Sequence, residues 1–239
     1  MPELSLVIPV YNGAPILEQS IAYACGWLKN RSADWELIFV NDGSADETAQ
    51  ILKRHEPAIR SIHLPENRGK GFAVRHGLEH TKGKYLFFTD VDFPYGLDVI
   101  AEAAALLKTC ELAVGDRHQS ASRYEVRVNL ARRALSWATS TVVTRLFFPR
   151  ALDIKDTQCG MKGMTRQAAQ RLLPLLSVDR FAFDIELLLA AALQNLKIAR
   201  VPVVLRENRT SSVRLFADSA GALRDLIAIK WRQIRGCYG

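Results

Sequence analysis

The sequence predicts an α/β fold built on one doubly wound, mostly parallel sheet. Apolar strand-length runs alternate five times with helix-length amphipathic stretches over the first half of the chain. The run Tyr85-Leu86-Phe87-Phe88 is continuously apolar, as a strand buried on both faces of a parallel sheet requires. It leads into Thr89-Asp90-Val91-Asp92, two carboxylates where an open α/β sheet binds its ligands, outside the carboxyl ends of strands.

Leu4 to Tyr11 reads as the first strand, closed by the turn dipeptide Asn12-Gly13. A helix is expected from Pro15 to Lys29, with Pro15 suited to its first turn. Trp35 to Val40 is the second strand and ends at Asn41-Asp42-Gly43-Ser44. Ser44 with Glu47 has the capping-box spacing, which predicts a helix from Ser44 to about His55. Asp42 then projects from a strand end beside a helix start, either as a site carboxylate or as a turn-forming Asx residue. Ser61 to Pro65 is a short third strand, and Glu66 to Arg75 opens a helix reaching about Thr81.

Two strings in this stretch mislead. Gly69-x-Gly71 matches neither a Walker A loop nor a dinucleotide fingerprint. His76-Gly77-Leu78-Glu79-His80 matches a zinc-protease string, but no further ligand is near in sequence, so surface histidines are expected.

In an extended strand Asp90 and Asp92 point the same way, so they either share a divalent cation with a substrate diphosphate or form a solvated acidic turn. Leu97–Lys108 is an alanine-rich helix and Glu111–Arg117 a further strand. From Arg117 to Arg150 the composition turns basic, with arginines at 117, 123, 127, 132, 133, 145 and 150 against Glu125 alone. These do not gather on one helical face. A helix touching phosphate on one side and a membrane surface on the other fits, and a core helix with outward arginines is the alternative. Asp156 to Gly163 is polar with glycines and is expected to line the mouth of the sheet. A helix over 166–176 follows. Arg180–Glu186 opens another, with Asp184 and Glu186 in its first turn, where acids favour the helix dipole in any case. Ile198–Leu205 is a last strand, 206–214 a loop, and the tail a helix with Leu223, Ile227, Trp231 and Ile234 on one face.

With 239 residues, 49% of them hydrophobic, the chain can bury one core with elaborations. A net charge of +7 points to an anionic partner. Nucleic acid would explain the charge, but its phosphates repel a paired-aspartate site. The four cysteines show no metal spacing, which fits a reducing compartment. Met1-Pro2-Glu3 runs into a strand, so no signal peptide is expected, and no apolar run approaches the roughly 20 residues of a membrane span. The expectation is a cytoplasmic protein, peripheral on the inner face of a membrane. Segment 123–148 and the tail helix would make that contact.

Six motifs in order resemble family 2 glycosyltransferases of the GT-A fold, and among them the polyprenyl-phosphate branch of dolichyl-phosphate glucosyltransferases and mannose synthases. They are Ser5-Leu6-Val7-Ile8-Pro9-Val10-Tyr11-Asn12, Val40-Asn41-Asp42-Gly43-Ser44, Asn67-Arg68-Gly69-Lys70-Gly71, Asp90-Val91-Asp92, Asp156-Thr157-Gln158-Cys159-Gly160-Met161-Lys162 and Arg180-Phe181-Ala182-Phe183-Asp184. The resemblance implies that Pro9, Tyr11 and Asp42 hold the nucleotide base and ribose of a nucleotide sugar, with Lys70 near them. It makes Asp90 and Asp92 the D-x-D pair, Asp92 foremost at Mg²⁺ or Mn²⁺. It also brings Asp156 and Asp184 to the catalytic centre. It implies a transferase domain over 1–207, with a nucleotide-sugar half at 1–117 and an acceptor half at 118–207, followed by a loop and tail helix at 208–239. Gly13 and Phe93-Pro94 depart from the pattern.

A lipid phosphate acceptor, with a second pKa of about 6, is already ionised and needs little from a base. It needs arginines to offset repulsion from the donor diphosphate, and Arg117, Arg132 and Arg133 are the candidates. With a sugar hydroxyl as acceptor instead, Asp184 is the candidate base. Direct displacement inverts the anomeric centre.

Overall fold

A computed structural model of the chain describes residues 2–31, 34–125, 141, 143–148, 154, 156–206 and 217–239. Seven strands form the main sheet: β1 (Leu4–Val10), β2 (Trp35–Asp42), β3 (Arg60–Leu64), β4 (Tyr85–Phe88), β5 (Leu112–Asp116), β7 (Lys162–Thr165) and β8 (Ile198–Pro202). Their order is β3-β2-β1-β4-β7-β5-β8. All neighbours are parallel except β7, which runs antiparallel between β4 and β5. Two-residue strands β6 (Arg123–Tyr124) and β9 (Val204–Leu205) pair separately.

The strands are apolar on both sides because both sides are covered. On β1, β2 and β4 alternate residues Leu6, Ile8, Leu37, Phe39, Tyr85 and Phe87 pack into one core with helices α1 (Ala14–Lys29), α2 (Thr48–His55) and α4 (Asp98–Leu106). Val7, Ile38, Val40, Leu86 and Phe88 face the other core, with α3 (Lys70–Glu79), α5 (Arg166–Leu172) and α6 (Phe183–Leu193). A 3₁₀ turn at Leu173–Leu175 extends α5. The C-terminal helix α7 (Ala217–Ile234) joins this second core through Ile229, and Tyr238 beyond it is also fully buried.

Four expectations need correction. The capping box does not form: α2 begins at Thr48, and Ser44 Oγ instead accepts from the Asn12 amide. Asp46, just ahead of the helix, takes the Thr48 amide on Oδ1 and the Ala14 amide on Oδ2, tying together the starts of α2 and α1. β4 stops at Phe88, so Asp90 and Asp92 lie in a turn closed by the Phe93 amide on the Asp90 carbonyl, not on one face of a strand. Phe93 takes φ 45°, a left-handed geometry unusual for a bulky residue. Residues 162–165, read as part of a loop, form the central strand β7, and the last strand divides at Val203 into β8 and β9.

Of the basic segment, residues 141 and 143–147 are helical; Val143 and Phe147 are buried while Arg145 and Leu146 face outward. Arg127, Arg132, Arg133 and Arg150 lie outside the described residues, as does the expected loop beyond Arg206. The His76 and His80 rings lie 4.4 Å apart, tilted to one another at the surface, and no group of three or more His, Cys, Asp or Glu able to hold a metal occurs among the described residues.

Candidate active site

The carboxyl ends of β1, β2, β4 and β5 open on one edge of the sheet. Because β7 is antiparallel, its amino end reaches the same edge, with Lys162 paired to Phe88 on one side and Val114 on the other. The preceding loop, 156–161, is thereby placed among the strand ends. It is polar in sequence but packed inside: Asp156, Thr157 and Cys159 are all buried.

The β1 and β2 ends are joined by hydrogen bonds between their loops. Asn12 Oδ1 accepts from the Ala45 amide, and Thr48 Oγ1 from the Gly13 amide. Asn41 Oδ1 stabilises the turn that follows β2, accepting from the Ser44 amide three residues on. Asp42 does something else: buried, it takes the amides of Arg68 and Gly69 on its two oxygens, each at 2.8 Å. It clamps the loop that leads to Lys70, and Gly69 there has φ 106° and no room for a Cβ, which would lie 2.6 Å from the Asp179 carbonyl oxygen. Pro9 lies within β1 and Tyr11 just beyond it, 53% exposed at the mouth.

Lys70, the first residue of α3, reaches across to Asp90 Oδ1 at 2.6 Å. Burial pulls the ammonium toward neutrality, but the carboxylates of Asp90 and Asp184 outweigh it and hold the pKa above the ordinary lysine value. The backbone of Gly160 lies so close to Asp90 Oδ2 that a Cβ there would collide with it. Behind this pair Lys162, fully buried, binds Asp184 Oδ1 at 2.6 Å and donates to the Cys159 carbonyl at 2.8 Å. The floor of the site thus joins two lysine–aspartate pairs, Lys162–Asp184 buried and Lys70–Asp90 partly open to solvent. Asp92 follows in the turn, partly exposed. The donor set suits a hard divalent cation: carboxylate oxygen from the turn, with the remaining positions left to substrate phosphate and water.

Arg117, just past β5, forms a fork with Asp156: Nε to Oδ2 at 2.7 Å and Nη2 to Oδ1 at 2.8 Å, with the Arg117 amide also on Oδ2. Burial alone would raise the Asp156 pKa, but the hydrogen bonds and charge of Arg117 hold it below the usual carboxylate range. Asp156→Asn therefore leaves a largely buried guanidinium unpaired and is expected to cost about 3–5 kcal/mol of stability. Since the folded pKa is lowered, this contribution is complete above the unfolded value of about 3.9 and fades as pH falls through the folded one. Urea unfolding at neutral and strongly acidic pH checks both; the parent and variant should converge only in acid.

The structure thus brings together Asp42, Lys70, Asp90, Arg117, Asp156 and Asp184 around one mouth, with Pro9, Tyr11 and Asp92 at strand ends or the adjoining turn. Sequence reading assigned no role to Lys162, Asp46 or Gly160. A lone lysine between Met161 and Gly163-Met164 was the available signal for the first. Cys159 is no nucleophile in this state, since burial pushes its thiol up to about 12.

Comparison with known proteins agrees with this geometry. A model of the family described as glycosyl transferase family 2 matches residues 5–173. The Drosophila melanogaster protein named dolichyl-phosphate beta-glucosyltransferase is 34% identical over 255 residues, 99% of this chain and 77% of that protein. Its Saccharomyces cerevisiae namesake is 31% identical over 257 residues, 98% of this chain and 76% of that one. Among solved structures, glucosyl-3-phosphoglycerate synthase from Mycobacterium tuberculosis, in complex with Mn²⁺, UDP-glucose and phosphoglyceric acid, superposes with a TM-score of 0.72 at 21% identity. That alignment covers 96% of this chain and 80% of the other, which shows the shared GT-A architecture. A family match over more than half the sequence, with relatives above 30% identity along almost all of it, shows that the chain belongs to glycosyl transferase family 2.

Proposed function

We propose that the chain is an inverting, metal-dependent transferase that moves a hexose from a nucleotide sugar to a polyprenyl or dolichyl phosphate, with UDP-glucose the first donor to test and GDP-mannose the second. The observation that carries the acceptor class is the Arg117–Asp156 fork at the mouth. Two of the guanidinium's five donors are spent on Asp156, which fixes its plane and leaves the others for an anion. The names of the relatives support the same class.

In this reading Pro9 and Tyr11 contact the base and ribose, and Asp42 shapes the loop that closes over them. Asp92 holds Mg²⁺ or Mn²⁺; Asp90 and Lys70 sit beside the donor phosphates. The bound cation supplies charge stabilisation for the departing nucleoside diphosphate. Arg117, with Arg132 and Arg133 from the basic segment, offsets the repulsion between donor and acceptor phosphates. Asp156 acts through Arg117. The transferase unit is 1–207 and works at the cytoplasmic face of an anionic membrane. The competing reading, a sugar hydroxyl deprotonated by Asp184, is weakened because that carboxylate is buried and held by Lys162.

Donor class is tested by thermal melting. Ligands that bind only the native state stabilise it, by about 2.7 kcal/mol at a hundred times Kd. Mn²⁺ or Mg²⁺ with UDP-glucose is expected to raise Tm well beyond either alone. A larger shift with GDP-mannose would assign a mannosyl donor, and no shift with any nucleotide sugar would remove the donor site from these residues.

A further inference from the structure

The C-terminal helix α7 has two unlike faces. Its inner face is fastened to the body: Ile229 is fully buried, Arg232 donates to the Leu175 carbonyl, and Lys230 and Gln233 bind the carbonyls of Leu146 and Phe147. Just beyond it, Tyr238 donates to Glu186 Oε1 at 2.7 Å, two residues from Asp184 on α6. The outer face is apolar and bare. Leu223 and Ile227 are 61% exposed, Trp231 57% and Ile234 73%, although their spacing puts all four on one side of the helix. Leu146, on the segment that Lys230 and Gln233 bind, adds another exposed apolar side chain. A stripe of this size exposed to water calls for a partner.

The charges around the stripe indicate which partner. Arg224 beside it is 77% exposed at its side chain, with Asp225 3.9 Å away as a weak and mostly buried counter-charge. The Arg235 guanidinium lies 3.4 Å over the Trp231 ring, so a cation and an amphipathic aromatic sit together at the edge of the apolar face. Apolar side chains flanked by arginines, with a tryptophan at the boundary, suit the interface of an anionic bilayer better than a protein groove. Among the described residues no helix is long and apolar enough to cross a membrane.

We infer that α7 docks on an anionic lipid bilayer, lying in the interfacial plane with Leu223, Ile227, Trp231 and Ile234 inserted among the acyl chains and Arg224 and Arg235 at the headgroups. The inference rests on the proposed lipid-phosphate acceptor, for which a surface-bound enzyme needs its site near the bilayer.

The test is flotation of the full chain with phosphatidylcholine vesicles with and without phosphatidylserine, for the parent and for Ile227→Ser/Trp231→Ser. Both side chains are exposed, so the variant should keep the parent's melting curve. Expected is binding that needs phosphatidylserine, weakens with salt, and falls at least about ten-fold in the variant. Turnover on a short-chain prenyl phosphate in detergent should remain. Failure of the parent to bind at low salt, or equal binding by parent and variant, would overturn the docking assignment whatever the detergent assay gives. So would a concentration-dependent dimer abolished by the variant while vesicle binding persists, since the face would then join two copies. Helix-dependent vesicle binding without turnover on any lipid phosphate would sustain the docking and sink the catalytic reading instead.

Discussion

Asp92→Asn is expected to lower turnover by about 10²–10³-fold, the range for removing one preorganised electrostatic contact from a transition state. An amide keeps the size of the side chain but lacks the charge that a hard divalent cation requires of its ligand. The loss should be accompanied by loss of the metal-dependent rise in Tm with the nucleotide sugar. Asp90→Asn should cost less in metal binding, because in the structure Asp90 Oδ1 is already engaged by the Lys70 ammonium at 2.6 Å. Its larger effect should fall on the position of Lys70. Titrating Mn²⁺ against each variant by electron paramagnetic resonance separates the two. Near-normal Mn²⁺ affinity in Asp92→Asn would move the metal site elsewhere.

The second large effect distinguishes acceptor classes. A hydroxyl acceptor must lose a proton, and a positioned base contributes about 10²–10⁴-fold to that step. Asp184 alone is a poor target, because Asp184→Asn strands the fully buried Lys162 ammonium. Lys162→Met/Asp184→Asn removes both charges together. With a phosphate acceptor this pair should keep turnover within about ten-fold, provided melting shows it folded, since no base is then required. Arg117→Lys keeps the charge but breaks the fork with Asp156, and should lose about 10- to 100-fold in acceptor kcat/KM, the equivalent of a charge-assisted hydrogen bond of about 1.5–3 kcal/mol. Saturating donor with varied acceptor in single-turnover mode reads both. The reverse pattern, a collapse of the double variant beside a normal Arg117→Lys, would favour the hydroxyl reading. Arg132 and Arg133 belong in the same series.

The strands that build the site were legible because β1, β2 and β4 are apolar runs covered on both sides, and the expected helices α1, α3 and α4 fall within a few residues of their predicted bounds. What was hidden depended on contacts distant in sequence. β7 shows no strand signal in Lys162-Gly163-Met164-Thr165, because its glycine is dictated by the Phe87 ring, into which any Cβ at 163 would run. Ser44 has the spacing of a cap but serves Asn12, across 32 positions, and the Thr48 amide goes to Asp46 instead. The Asp90–Asp92 pair was found by its motif while its geometry was misread, since the turn closes on the Phe93 amide and sets the Phe93 ring against Tyr23, 5.4 Å away between centroids and 70 positions distant in sequence. Asp42 is read with Pro9 and Tyr11 as holding the base and ribose, and local sequence gives no hint that its two oxygens also take the amides of Arg68 and Gly69.

The central claim, hexosyl transfer onto a lipid phosphate, is tested most directly by product formation. The full chain would be incubated with Mn²⁺ and radiolabelled UDP-glucose or GDP-mannose, each with a polyprenyl phosphate and, separately, with the corresponding free polyprenol. An acid-labile, β-linked sugar lipid is expected from the phosphate, made with one of the two donors, and none from the alcohol. Transfer to the alcohol at a comparable rate, or no transfer to the phosphate from either donor under conditions where the nucleotide sugar raises Tm, would contradict it.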